Sequence, residues 1–396
     1  MILFRLQNLM QEVQIEMKKF LKIIKIPVAF ATAAALLCLY FYRIPTEYTC
    51  YPDQPPAVSS LYTLEAESPA AQQQEADHYT AKVKLFGLLP IKDATVHRIT
   101  QKSLVVLGTP FGVKLYTKGV IVIDAEEGSA GIAAGIQVGD IILSYNDQVV
   151  RSNEELRAQV QLCQGKKQKV ILLRNQRTQT LWVTPTETEE GYVIGLWVRD
   201  STAGLGTLTY YDPQTNAVAG LGHSISDVDT GLTMPVESGT LVTAEVKGIR
   251  AGEKGNPGEL LGTLSNQTFG KVTTNNETGL FGTTDRKFEG VRYPVGLKDE
   301  VQEGEAQILC TLSGTTPKAY TIRITKINNN LSELKNLCIQ VTDERLLKET
   351  GGIVQGMSGS PILQNGKIIG AVTHVLISDP TAGYGIFIEK MLASAE

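Results

Sequence analysis

Residues 351–374, GGIVQGMSGSPILQNGKIIGAVTH, set one serine inside Gly356-Met357-Ser358-Gly359-Ser360-Pro361, between two apolar runs. A hydroxyl attacks a carbonyl poorly until a nearby base removes its proton. Glycines beside it let a substrate carbonyl approach the backbone, whose N–H groups can then hold a developing oxyanion. Ser358 is therefore the candidate nucleophile, with the N–H groups of Gly356 and Ser358 as oxyanion donors. Pro361 turns the chain into the following strand. By itself a turn this short could equally be a tight link between two strands, and the base has to decide.

An α/β-hydrolase elbow would need glycine two places after the serine, where Ser360 stands. The hexapeptide resembles instead the Gly-Asp-Ser-Gly-Gly-Pro of chymotrypsin-like peptidases, whose triad runs His, Asp, Ser along the chain. The chain has four histidines, and His78 and His97 fall in its N-terminal part. His223, in AGLGHSISDVDTG, precedes Ser358 within the same strand-rich region and is the candidate base. His374, on the strand after the nucleophile, is expected to line the substrate cleft. The acid stays open among Asp227, Asp229, Asp285 and Asp343. Val228-Asp229-Thr230-Gly231 matches the short aspartic-protease signature, but no second copy exists to complete a carboxylate dyad.

These residues need a scaffold. From about Glu190 onward, short alternating segments such as GYVIGLWVRD, GLGTLTYYDP, AYTIRITKI and KIIGAVTHVL are divided by turns, which predicts an all-β barrel or sandwich. Residues 103 to about 187 form an earlier unit. Gly108-Thr109-Pro110-Phe111-Gly112-Val113, Ala133-Ala134-Gly135-Ile136 and Val138-Gly139-Asp140-Ile141-Ile142 resemble a bacterial PDZ domain. Such a module captures an extended peptide on an edge strand; Phe111, Gly112 and Val113, with Leu156 on a facing helix, are the expected groove.

Lys18, Lys19, Lys22 and Lys25 precede an apolar stretch from Ile26 to Tyr42, about 25 Å as a helix against a ~30 Å hydrocarbon core. Counting from Ile23 to Ile44 makes up the deficit, and the basic flank keeps the N-terminal end in the cytoplasm. The expected organisation is a tail and transmembrane signal anchor (1–44), a flexible Pro/Ala/Gln-rich linker (45–78) and a strand-like connector (79–102). A PDZ-like α+β domain (103–187) and a chymotrypsin-like all-β peptidase domain (188–396) follow, so the fold class is mainly β. Six of the 37 basic residues and two of the 41 acidic ones lie in the first 43 positions, leaving a net acidic remainder that argues against a nucleic-acid partner. The five cysteines form no CxxC pair, and no metal or cofactor is expected.

GLGHSISD, the 351–392 stretch, the PDZ block and the anchor together resemble the SpoIVB peptidases, stage IV sporulation serine proteases of endospore formers. That resemblance implies a triad of His223, Asp343 and Ser358. An Asp only fifteen residues before the serine departs from ordinary chymotrypsin spacing, leaving Asp285 as the competing acid. Met357 stands where chymotrypsin-like zymogens carry the acidic partner of a freed N-terminus, so activation by that ion pair is not expected. The resemblance further implies self-cleavage within Pro45 to His78 and export from the forespore inner membrane into the intermembrane space. It also implies cleavage of the regulatory partner of a membrane-embedded protease that processes a mother-cell sigma factor. The alternative is a membrane-tethered PDZ scaffold without activity.

Overall fold

The computed structural model describes residues 44–52, 61–66 and 77–395, with Thr32, Phe41, Pro55, Pro56 and Val58. The expected anchor lies almost wholly outside these. Among the described residues no helix is long and apolar enough to cross a membrane. The chain divides into two compact units, Met1–Thr100 and Gln101–Glu396.

In the first unit, β1 (Glu47–Cys50), β2 (Tyr62–Ala66), β3 (His78–Leu85) and β4 (Leu89–Arg98) form one sheet in the order β1-β4-β3-β2. Alternation along β3 and β4 turns Ala81, Val83, Ala94 and Val96 to one face, and Tyr48 and Cys50 close over it. Part of the expected 45–78 linker is therefore sheet. The alternating Tyr48 and Cys50 supply a buried face that the surrounding Pro- and Gln-rich composition obscures.

The second unit opens with β5 (Ser103–Val106) and β6 (Pro110–Ala125). Next come α1 (Ala130–Ala133), β7 (Ile141–Tyr145), β8 (Gln148–Val149), α2 (Asn153–Leu162), β9 (Gln168–Arg174) and β10 (Arg177–Val183). Ser152 caps α2 by accepting from Glu155 N, and its inward residues Leu156 and Val160 join a core with Val120, Ile142, Val170 and Leu172. A short hairpin of β11 (Thr186–Thr188) and β12 (Gly191–Val193) leads to β13 (Leu196–Asp212), β14 (Ala217–Gly220), β15 (Val236–Arg250), β16 (Glu259–Asn276), β17 (Gly279–Thr284) and β18 (Arg292–Pro294).

Strands β6, β15, β16, β17, β14 and β13 pair in that order, and a β6–β13 ladder closes the ring into a six-stranded barrel. Phe111, Val113, Leu115, Leu208, Leu221, Leu241 and Val272 fill it. The PDZ-like module grows out of this barrel. Residues Phe111 to Thr117 of β6 pair with β15, whereas Val120 and Ile121 pair with β7 of the module. The β6–β13 ladder is common to both.

A second ring, β19 (Gly304–Cys310), β20 (Lys318–Ile327), β21 (Leu337–Val341), β24 (Asp379–Phe387), β23 (Lys367–Leu376) and β22 (Pro361–Gln364), closes a second six-stranded barrel. Period-two alternation sends Tyr320, Ile322, Ile324, Leu337, Ile339 and Val341 into its core. Helix α3 (Glu344–Thr350) follows β21, and α4 (Ile388–Ala393) follows β24.

Candidate active site

The two barrels meet along a cleft. The first contributes Thr202 to Leu205 of β13 and the segment Leu221 to Ser226; the second contributes Ile353 to Gly356, Ser358 and Thr373 to Val375. His223 and Ser358 thus reach one cleft although 135 residues separate them in the chain.

His223 leaves β14 through a turn in which Leu221 and Gly222 both have left-handed φ, 67° and 69°. For a leucine that conformation costs about 1–2 kcal/mol, and it is held by Leu221 N donating to Thr207 O at 3.3 Å. The His223 Nδ1 lies 2.7 Å from Ser224 O. A carbonyl can only accept, so Nδ1 carries the proton and Nε2 keeps its lone pair. Burial without a counter-charge lowers the His223 pKa below 6.5, the Ser224 carbonyl opposing the shift in part. The His374 ring lies against it, centroids 4.7 Å apart, and is also held below the ordinary imidazole value, first by lost hydration and then by His223 and Lys335. Both rings are neutral near pH 7.

Ser358 sits between Gly356 (φ 93°) and Gly359 (φ 94°). A Cβ at Gly359 would fall 2.0 Å from Thr207 O and 2.4 Å from Leu221 N, so only glycine lets this turn rest on the first barrel. The Ser358 hydroxyl donates to Thr373 O at 2.7 Å rather than to an imidazole. The Met357, Gly359 and Ser360 N–H groups bond to Val354 O, Val372 O and Met357 O, whereas among the described residues those of Gly356 and Ser358 have no acceptor. Ser360 is fully buried and faces no substrate.

The structure does not bring Asp343 to His223. Asp343 is the N-cap of α3: Oδ1 accepts from the backbone N–H of Arg345 and Leu346, and Oδ2 from Thr321 N and Arg345 Nη2. The Arg345 guanidinium first, with the backbone donors, holds its carboxyl at about 2. Asp343 stands at the junction of β21 and α3, where the helix N-terminus and Arg345 take up its carboxylate, and it does not line the cleft. Asp285 is exposed beyond β17, away from the cleft. Asp227 and Asp229 both pair with Arg199. Among the described residues, no carboxylate hydrogen-bonds to His223.

The expected PDZ groove also needs correction. Phe111, Gly112 and Val113 are hydrogen-bonded to β13 on one side and β15 on the other, leaving no free edge. A Cβ at Gly112 would meet Leu264 Cδ2 at 2.6 Å and Val242 Cγ2 at 2.7 Å, so this triplet is barrel core. Leu156 does line a groove, where Asn153, Arg157 and Val160 of α2 face Ile194, Leu196 and Trp197.

Two functional groups were not legible. The Ser224 carbonyl is backbone, and no residue type announces it. Asn275 accepts from Ile225 N at 2.8 Å and donates to Ile225 O and Met234 O, tying down the loop that carries His223. Its signal was an asparagine pair closing a long strand, at the TTNNET turn.

A double barrel with a serine and a histidine lining one cleft at the junction, and a PDZ-like module rising from one barrel, is the architecture of a serine peptidase. The model of the family described as SpoIVB peptidase S55 matches residues 190–392, and a PDZ-domain model matches residues 105–184. The chain belongs to the SpoIVB peptidase S55 family. No curated protein matches it. Among solved structures, the PDZ domain of the SdrC-like protein from Listeria monocytogenes is 17% identical, covering 20% of this chain and 87% of that one at a TM-score of 0.19. The active form of the Rv3671c protease from M. tuberculosis is 14% identical, covering 48% and 72% at 0.31. The HtrA-type protease AlgW with decapeptide is 12% identical, covering 50% and 53% at 0.30.

Proposed function

We propose that Ser358 and His223 act as a catalytic dyad in peptide-bond hydrolysis, with the Ser224 carbonyl, rather than a carboxylate, fixing the base in its working tautomer. The observation that carries this is the meeting of Ser358, His223 and two unpaired N–H groups in one cleft. For attack, the Ser358 hydroxyl leaves Thr373 O and turns to His223 Nε2, which takes its proton as Oγ bonds to the substrate carbonyl carbon. The N–H groups of Gly356 and Ser358 receive the oxyanion. Nε2 then returns the proton to the leaving amine. Beyond Val372, which bonds to Gly359 and Ser360, no described strand pairs with the edge of β23 away from β24, so Thr373 to Leu376 can pair with an extended substrate beside His374 once the Ser358 hydroxyl leaves Thr373 O.

Labelling with a fluorophosphonate tests the dyad. Wild type is expected to label, Ser358→Ala not at all, and His223→Ala far more slowly. His223 accepts a proton only when neutral, so the labelling rate should rise with pH through a midpoint below 6.5 and then level off. Labelling of Ser358→Ala at the wild-type rate would sink the assignment.

Family membership and the basic-flanked apolar N-terminal sequence support a wider reading. The peptidase is anchored in the forespore inner membrane, cuts itself between Pro45 and His78, and cleaves the regulatory partner of a membrane-embedded sigma-factor-processing protease. Mass spectrometry of the mature N-terminus, in wild type and Ser358→Ala, tests the self-cleavage.

A further inference from the structure

The turn from Gln355 to Gly359 is held through its carbonyls. Gln355 O accepts from Leu260 N at 2.8 Å, Met357 O from Ser360 N at 2.9 Å, and Ser358 O from Thr207 N at 3.0 Å. Gly356 O accepts from the Thr207 hydroxyl at 2.8 Å, and Gly359 O from the Thr209 hydroxyl at 2.7 Å. Every carbonyl of the turn is engaged, and the N–H groups left over are those of Gly356 and Ser358. The Gly356 N–H shares its peptide plane with Gln355 O, held by Leu260 N, and the Ser358 N–H shares its plane with Met357 O, held by Ser360 N. Between these two planes the Gly356–Met357 peptide can still rotate, because glycine populates several φ/ψ regions at little cost, and its rotation would turn the two donors apart. The clamp must come from outside.

It comes from β13. Thr207 and Thr209 are two residues apart and point to the same face of that strand. Both are buried, 2% and 0% exposed, in a strand otherwise flanked by apolar residues. A buried hydroxyl without an acceptor is costly, so each is fixed by its bond, and the β-branched side chain limits χ1 besides. Thr207 also gives its carbonyl to Leu221 N, two residues before His223. One residue of the first barrel therefore holds both the oxyanion turn of the second and the segment that carries the base.

We propose that Thr207, seconded by Thr209, is a positioning residue of this peptidase: its hydroxyl holds Gly356 O, and with it the peptide between the two donor peptides, so that the free N–H groups of Gly356 and Ser358 stay aimed at one oxyanion. This rests on the dyad reading above. Thr207→Val keeps the shape and the backbone bonds and removes only the hydroxyl, while Thr207→Ser keeps the hydroxyl and loses a methyl group. The measurement is fluorophosphonate labelling resolved into the maximal rate and the half-saturating probe concentration, beside the thermal midpoint. Thr207→Val is expected to lower the maximal rate about tenfold or more, short of the ~100-fold or greater loss when an oxyanion donor is itself removed. The half-saturating concentration should stay unchanged, and Thr207→Ser should recover most of the rate.

An unchanged maximal rate in folded Thr207→Val would overturn the proposal, as would Thr207→Ser being as slow as Thr207→Val. If Thr207→Val does not fold, Thr209→Val and Thr207→Ser carry the same test: a slower maximal rate in the first and a near-normal one in the second support it, and a normal rate in Thr209→Val overturns it. Persistent labelling of Ser358→Ala would instead overturn the dyad, and is read separately.

Discussion

A carboxylate that accepts bonds from three backbone N–H groups and a guanidinium has little capacity left for an imidazole. Asp343 is in that position, and its roles can be separated by substitution. Asparagine is as good an N-cap as aspartate, whereas alanine costs about 0.5–2 kcal/mol. Asp343→Asn is therefore expected to label at close to the wild-type rate. Asp343→Ala should lower the thermal midpoint more than it lowers labelling. In triads that use the carboxylate, the Asn variant alone costs about 10⁴-fold, so a loss of that order in a folded Asp343→Asn would restore Asp343 as the acid. Because its folded pKa of about 2 lies below 3.8, Asp343 adds stability that is fully present above pH 3.8 and lost as the pH falls towards 2. Ser358 and His223 were readable from the sequence because side chains carry their chemistry and chain order selects among few histidines. The tautomer-fixing partner is a peptide carbonyl, present at every residue and so indistinguishable in a sequence.

At the scale of elements, β13 matters most. Its sequence reads as parts of two strands, GYVIGLWVRD and GLGTLTYYDP, divided by Ser-Thr-Ala. In the fold those residues stay extended because they pair with Lys114 to Tyr116 of β6, and Thr202 and Ala203 line the cleft. The one strand thus passes from the PDZ-like groove at Leu196 and Trp197, through Arg199 and its two aspartates, to Thr207. Local periodicity sees only the interruption; the ladder that spans it joins residues far apart in the chain. The His223 loop depends on a similar distant contact, the Asn275 amide at the end of β16. Asn275→Ala removes its bonds to Ile225 and Met234, each worth about 0.5–1.5 kcal/mol net. The expected result is faster hydrogen exchange at the Ile225 amide, a lower labelling rate and a thermal midpoint lowered by a few degrees. An unaltered exchange rate at Ile225 would show that the loop is held without Asn275.

For the whole molecule, the consequential fact is where the first barrel obtains its closing strand. The peptidase family model begins at residue 190, and a boundary near 188 is what the sequence pattern suggests. Yet β6, with both neighbours in the barrel, begins at Pro110. The PDZ-like module lies between two strands of the peptidase, which a left-to-right reading cannot anticipate, because GTPFGV has the look of a PDZ loop whether or not a barrel encloses it. Phe111, Val113 and Leu115 are each almost fully buried in the barrel core. Burying side chains of this kind is worth about 1.5–3 kcal/mol apiece, so together they approach the ~5–15 kcal/mol that stabilises a whole domain. Without β6, the facing edges of β13 and β15 would also lose their partners, an invitation to aggregate. A fragment of residues 190–396 is therefore expected to be aggregated by size-exclusion chromatography and inert to a fluorophosphonate. A fragment of residues 101–396 should run as a folded species and label at Ser358. If the shorter fragment were monomeric and labelled at the rate of the longer one, β6 would be dispensable, and the peptidase would be a separate body following the PDZ-like module rather than one barrel pair enclosing its root.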